Sequence, residues 1–197
     1  TNTAATVGHG LGVAPSMIIV KQRNSAVENW LVYHSSLTNP TTSFLYLNAT
    51  DAQATISVYW NGGPTSSVFG IGAYSGINAS AGTYVAYVFA EVAGYSAFGS
   101  YTGNGSTDGP FVYLGFRPKF VLFKRTENLY PNFLAFNSVD LISSNIQLTK
   151  NSRCSKNNLV FLIRDSFIIS SFIFIRFIPD SFKHNFVHSL LLIGQTS

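Results

Sequence analysis

The sequence contains an internal repeat, in which residues 8–36 return in altered form 103 positions later. Residues 12–21 align with residues 115–124, and at the same offset residues 29–33 align with residues 132–136. Self-similarity at a fixed offset indicates a duplicated structural unit, and a period of about 100 residues has the size of a small β-sandwich rather than of a solenoid repeat. The repeat therefore predicts two related units within this chain.

Short runs of strand-forming residues, separated by turn residues, fill the first 114 positions. The runs are rich in Val, Ile, Tyr, Phe and Thr, which favour strands, and Gly, Pro and Asn punctuate them. They cover residues 17–22, 30–34, 44–48, 55–60, 68–71, 83–92 and 111–114. Regularly spaced short strands of this kind predict an all-β fold, an antiparallel β-sandwich of the jelly-roll or lectin-like type.

The run at residues 83–92 is apolar on both of its faces. That pattern is typical of a central strand buried between two layers, whereas an edge strand alternates apolar and polar residues. A buried helix is the competing interpretation, but β-branched and aromatic residues dominate the run and Gly82 precedes it. We therefore predict a central strand here.

The composition changes abruptly at Gly115, because 15 of the 16 glycines lie at or before this position. We divide the chain into a first unit at residues 1–102, truncated at its N-terminus, a second, shortened or divergent unit at 103–163, and a hydrophobic tail at 164–197. The tail is either native sequence or the translation of a shifted reading frame. Its most apolar run, residues 167–175, is too short for a membrane span. We interpret the chain as an internal fragment of a longer product.

The charge pattern argues against several classes of function. Only 10% of the residues are charged, and the 12 Lys and Arg side chains form no cluster of the kind that nucleic-acid binding requires. Cys154 is the only cysteine, so the chain has no intramolecular disulfide and no cysteine spacing typical of a metal site. We predict no nucleic-acid partner, no metal site and no cofactor.

The sequence shows no motif typical of a catalytic site. A glycosidase needs two carboxylates facing each other across its substrate, and no paired carboxylates occur in a motif here. The acidic residues of the repeat region are scattered: Glu28, Asp51, Glu91, Asp108 and Glu127. The Gly-x-Ser-x-Gly pattern of hydrolases is also absent. We predict a non-enzymatic protein, with a glycoside hydrolase as the alternative that sequence separation alone leaves open.

Tyr59, Trp60 and Asn61 are the candidate ligand-binding residues. They end a predicted strand beside a Gly-Gly-Pro turn. An exposed indole next to an amide at such a place stacks on a sugar ring and exchanges hydrogen bonds with it. The competing interpretation is that Trp60 belongs to the core, because a large aromatic residue in a strand is usually buried.

Five segments of the chain resemble a known type of domain. They are residues 6–21, 29–34, 59–62, 84–91 and 98–105. Together they resemble an uncharacterised β-sandwich domain that recurs in predicted tail and other virion proteins of marine phages. The resemblance covers residues 3 to about 126, and its motifs are long and specific.

The resemblance implies a context more than a chemistry. It implies a non-enzymatic virion component, a tail-fibre or appendage module that serves structure or host-surface attachment and is extracellular in the assembled particle. The partners implied are other virion proteins and a bacterial surface glycan, and a homotrimer is an assembly that the sequence leaves open. The alternative is a carbohydrate-binding module of a larger cell-surface or glycan-active protein.

Overall fold

The computed structural model of the protein describes residues 3–49, 51–104, 108–118, 120–127, 135–137, 145–149 and 158–163. All of them belong to one compact unit, Thr1–Asp165. The predicted tail at residues 164–197 lies outside the described residues. The described chain is almost entirely β-structure, and its paired strands are antiparallel, which confirms the predicted fold class.

Thirteen strands and one short helix make up the described elements. They are β1 Ala5–Gly8, β2 Met17–Gln22, β3 Leu31–His34, β4 Ser43–Tyr46, β5 Ala54–Thr55, β6 Val68–Ile71, α1 Ser75–Asn78, β7 Tyr84–Phe89, β8 Ser96–Tyr101, β9 Asp108–Tyr113, β10 Phe120–Arg125, β11 Ala135–Asn137, β12 Asn145–Thr149 and β13 Asn158–Ile163.

A five-stranded sheet with the order β5-β4-β3-β2-β7 forms the centre of the first part of the chain. Strand β2, which lies between β3 and β7, carries the run Ile18-Ile19-Val20, and the branched side chains of such a run pack well on a pleated surface. All three residues are buried although neighbours along a strand point to opposite faces. The sheet is therefore covered on both sides.

One face of this sheet packs against the two-stranded sheet β1-β6 and helix α1. Ile18 and Val20 of β2 share a core cluster with Phe69 of β6, Ile77 of α1 and Trp60. Side chains from two sheets meet in this cluster, as they do in a β-sandwich.

The opposite face is covered in part by β8. The ring of Phe98 lies 6.2 Å from the ring of His34 and 6.4 Å from the ring of Phe89, measured between centroids. β8 itself belongs to a second sheet with the order β11-β10-β13-β8, while β9 pairs with β12. The chain thus leaves the first sheet after β7 and enters the next one with β8.

The end of β10 is fastened to the loop between β4 and β5. The ammonium group of Lys124 donates hydrogen bonds to the carbonyl oxygens of Ala49 (2.8 Å) and Asp51 (3.1 Å). In the same place the backbone N–H of Gln53 donates to the carbonyl of Thr126. Lys124 is buried, and the loss of hydration lowers the pKa of its ammonium group, an effect that the nearby Asp51 carboxylate opposes.

Two predicted strands, β2 and β6, are confirmed with their boundaries, while the run at residues 55–60 is a strand only over Ala54–Thr55. The prediction of a central strand at residues 83–92 is wrong as to position. β7 spans Tyr84–Phe89 and is the last strand of its sheet in the described part of the chain. Its apolar character therefore does not come from two flanking strands.

The strand order follows the sequence repeat. β2 lies between β3 and β7, and β10 lies between β11 and β13. β2 begins at Met17 and β10 at Phe120, which are 103 positions apart, the same offset as in the sequence alignment. The duplication itself stays an interpretation of this correspondence.

Candidate functional site

Several loops meet at one end of the five-stranded sheet. β2 ends there at Gln22, β3 begins at Leu31, β4 ends at Tyr46 and β7 begins at Tyr84. Because neighbouring strands are antiparallel, the loops between β2 and β3, after β4 and before β7 all leave the sheet at this end. Loops supported by a rigid sheet are common places for binding residues.

Amide side chains hold these loops in place. Asn48 accepts a hydrogen bond from the backbone N–H of Trp30 at 2.8 Å and donates one to the side-chain oxygen of Asn29 at 2.9 Å. Asn24 accepts from the N–H of Thr83 at 3.0 Å and donates to the carbonyl of Ala81 at 3.0 Å. The loops are thus tied to each other, which lowers the entropy that a ligand would have to remove on binding.

Four aromatic rings form a cluster beneath these loops, which we call the tyrosine cluster: Phe44, Tyr46, Tyr59 and Tyr74. Ring centroids lie 4.3 Å apart for Phe44 and Tyr59, and 4.5 Å apart for Tyr59 and Tyr74. Tyr59 is almost fully covered, Tyr46 is half-buried, and Tyr74 is 37% exposed. The cluster therefore extends from the buried ring of Tyr59 to the exposed ring of Tyr74 at the surface.

The hydroxyl groups of the cluster are linked. The oxygens of Tyr46 and Tyr59 lie 2.8 Å apart in a hydrogen bond. Burial raises the pKa of the Tyr59 hydroxyl well above its ordinary value, and hydrogen bonds with Tyr46 and Tyr74 raise it further. The Tyr59 hydroxyl is therefore neutral at physiological pH, and it positions Tyr46 and Tyr74 rather than acting as a base.

Glu28 places a carboxylate beside the exposed ring of Tyr74. A methyl group added at Gly76 would lie 2.8 Å from a carboxylate oxygen of Glu28 and 2.7 Å from the Tyr74 ring, so both side chains border the same glycine. The ammonium group of Lys21 donates to the backbone carbonyl of Glu28 and orients the loop. The Glu28 side chain is half-buried, so its carboxylate lies at the surface of the loop end rather than in the core.

An exposed aromatic ring next to a carboxylate suits a neutral polyhydroxylated ligand. The ring face packs on the C–H surface of a sugar, and the carboxylate accepts hydrogen bonds from its hydroxyl groups. Glu28 is the only acidic residue in the loops between β2 and β3 and between β6 and β7. In the described ranges, no group of three or more His, Cys, Asp or Glu side chains is placed to hold a metal ion.

The three predicted ligand residues do not lie together at the surface: Tyr59 and Trp60 are buried, and Asn61 is exposed. Trp60 is 4% exposed; its indole N–H donates to the carbonyl of Ser43 at 2.9 Å, and its ring meets Tyr33 edge to face at 5.7 Å. Tyr59 lies inside the tyrosine cluster. These two residues serve as core residues here, and only Asn61 of the three faces solvent.

Neither Tyr74 nor Tyr46 was predicted from the sequence as a site residue, and Glu28 was only one of several scattered carboxylates. The sequence does contain a signal for Tyr74: like Tyr59 and Trp60, this aromatic residue lies shortly before a glycine, here Gly76. No comparable signal links Glu28 with Tyr74, which lie 46 positions apart and meet only through the fold.

Buried tyrosines make the stability of the fold depend on alkaline pH. Burial raises the pKa of Tyr33, Tyr59, Tyr84 and Tyr87 above the ordinary value of 10.0. The folded state therefore holds these protons more tightly than the unfolded state, and their contribution is complete below pH 10 and declines above it. Lys124 acts in the opposite direction, since its pKa is lowered from 10.5 and its cost disappears as the pH rises toward that value.

We expect the free energy of unfolding to fall as the pH rises above about 10, because four tyrosines outweigh one lysine. Tyrosine ionisation followed at 295 nm should then show a delayed fraction that coincides with loss of the far-ultraviolet circular dichroism signal. Ionisation of every tyrosine in one step near pH 10, with the circular dichroism unchanged, would contradict the burial described above.

The described structure defines an all-β protein with antiparallel sheets. At one end of its five-stranded sheet, the loops after β2, after β4 and before β7, together with the tyrosine cluster beneath them, form what we call the tyrosine-rich loop end. No helix in the described ranges is both long and apolar enough to cross a membrane. Comparison with protein families matches residues 1–160 to a domain of unknown function, DUF7483, and the chain belongs to this family. Neither a curated protein nor a solved structure matches the chain.

Proposed function

We propose that this chain is a non-enzymatic module of a phage virion, a tail-fibre or appendage domain that attaches to a bacterial surface glycan. The observation that carries the proposal is the pairing of the exposed Tyr74 ring with the half-buried Glu28 carboxylate at a loop end held by amide hydrogen bonds. The virion context comes from the resemblance of residues 3 to about 126 to domains of phage tail proteins.

The composition supports attachment to a glycan rather than to a charged polymer. With 10% charged residues, the surface consists largely of Ser, Thr, Asn and Gly, and aromatic and amide side chains are the usual partners of neutral sugars. A single small site of this kind binds weakly, and an appendage that repeats it gains avidity from multivalency. Other virion proteins would supply that repetition, and the module would be extracellular in the assembled particle.

The same site would also serve a carbohydrate-binding module of a larger cell-surface or glycan-active protein. The two proposals share the ligand chemistry and differ only in the polypeptide to which the module is attached. Glycan binding by the chain is therefore the property to test first.

Replacing Tyr74 with alanine tests this site. We expect the full chain to bind one or more bacterial surface glycans on an array, and Tyr74→Ala to weaken that binding by about fivefold, since stacking of an aromatic ring is worth roughly 1 kcal/mol. Tyr113→Ala is the matched control, because Tyr113 is 74% exposed and belongs to β9, outside the tyrosine cluster.

Circular dichroism should show that both variants are folded. Equal weakening by both substitutions, or no glycan bound by the folded wild-type chain, would exclude the proposed site.

A further inference from the structure

The first and second sheets contain two three-stranded blocks with the same connectivity. In the first block β2 pairs with β7 over six residues, from Met17 with Phe89 to Gln22 with Tyr84. In the second block β10 pairs with β13 over six residues, from Phe120 with Ile163 to Arg125 with Asn158. β13 therefore occupies the place in the second block that β7 occupies in the first.

The two blocks differ at the edges of β13 and β7 that face away from β10 and β2. β13 is followed in its sheet by β8, with an antiparallel register from Asn158 with Tyr101 to Ile163 with Ser96. β8 comes from the first part of the chain, so the first part gives a strand to the second. The described residues provide no such strand for β7, which ends its sheet.

The outer edge of β7 has backbone groups ready for a further strand. The N–H of Arg23 donates to the carbonyl of Thr83 at 2.7 Å, which fixes the alternation of hydrogen-bonded pairs between β2 and β7. By that alternation, the backbone N–H and C=O groups of Tyr84, Ala86 and Val88 point away from β2. The side chain of Ala86 is exposed as well.

The residues of β7 do not protect this edge. Natural edge strands usually carry charges, proline or a bulge that prevents pairing with another chain. β7 reads Tyr-Val-Ala-Tyr-Val-Phe, with no charge and no proline, and it pairs with β2 without a register shift. A sequence typical of a central strand thus lies at the edge of a sheet.

We propose that the outer edge of β7 accepts an antiparallel strand of the β8 type, given by a neighbouring copy of the unit at residues 1–102, whose β8 is not paired with a β13. The donated strand would pair with Tyr84–Phe89 as β8 pairs with β13, so that successive domains are joined by the strand that each gives to the next. The partner chemistry is that of β8 itself, an uncharged strand of small and aromatic residues, Ser-Ala-Phe-Gly-Ser-Tyr. The outer edge of β7 begins at the tyrosine-rich loop end with Tyr84, but backbone pairing along this edge does not depend on glycan binding.

A synthetic peptide of residues 92–102 tests the proposal on the full chain. We expect the peptide to bind, and to slow hydrogen exchange at the amides of Tyr84, Ala86 and Val88 by about tenfold or more, because each gains a hydrogen-bond acceptor. A control peptide with Ala97→Pro and Gly99→Pro should bind at least about tenfold more weakly, because proline removes donors from the strand.

Ala86→Pro provides the matched variant of the acceptor. Proline is tolerated at an edge where its missing N–H faces outward, so the fold should persist while peptide binding weakens by about tenfold or more. If the variant does not fold, the pattern of amide protection in the wild-type chain with bound peptide tests the proposal instead. Absence of binding, unchanged binding by folded Ala86→Pro, or protection of amides other than those of β7 would overturn the proposal.

Discussion

Replacing Trp60 with alanine is expected to destabilise the protein by about 3–5 kcal/mol, the usual cost of removing a buried tryptophan side chain. Trp60 is 4% exposed and belongs to the core cluster that joins β2, β6 and α1. The substitution also leaves the Ser43 carbonyl, which accepts the indole N–H, without that donor. A loss of this size is a large fraction of the total stability of a domain.

Chemical denaturation followed by tryptophan-independent far-ultraviolet circular dichroism measures this effect. Asn61→Ala is the control, because Asn61 is the next residue along the chain and its side chain is exposed, so its substitution should change the free energy of unfolding by less than about 0.5 kcal/mol. A stable Trp60→Ala variant that no longer binds glycan would instead indicate that the indole is a ligand contact.

Replacing Gly72 with alanine should destabilise the protein by about 3 kcal/mol or more, at the upper end of the cost of overpacking. A methyl group at this position would overlap the backbone carbonyl of Val58, and backbone, unlike a flexible side chain, has little freedom to move aside. The N–H of Gly72 also donates to the carbonyl of Tyr59 at 2.8 Å, which holds the two segments at this distance. The substitution would therefore disturb the segment that places Tyr59 and Trp60.

Gly99→Ala separates the effect of crowding from that of the substitution itself. Gly99 lies in β8, and a methyl group there would meet nothing within 4 Å, so we expect a small change or a slight stabilisation. Thermal unfolding of both variants gives the comparison. Similar melting temperatures for the two variants would show that the approach of Gly72 to Val58 relaxes at little cost.

The fold was predictable where the residue pattern and the turn chemistry agree. Ile18-Ile19-Val20 predicts a buried strand from composition alone, and β2 has the predicted boundaries, Met17–Gln22. The sequence repeat also aligns β10 with β2, because Met17 and Phe120, at which these strands begin, lie 103 positions apart. Local pattern and repetition are both properties of the chain before it folds.

The site was not predictable in the same way. Tyr59 and Trp60 are adjacent to a turn, but the packing of β6 and α1 over them decides that they are covered, and this depends on distant parts of the chain. Glu28 and Tyr74 also lie close together because both side chains border Gly76, which has no side chain; a methyl group at this position would collide with both. The position of β7 at the edge of its sheet likewise depends on where β8 pairs, not on the residues of β7.

The hydrogen bonds of Lys124 to Ala49 and Asp51 determine how the two sheets unfold. β8 extends forward into the second sheet, while the end of β10 reaches back to a loop of the first. With links in both directions, neither half completes its own set of contacts without the other, so the two are expected to unfold together in one cooperative transition.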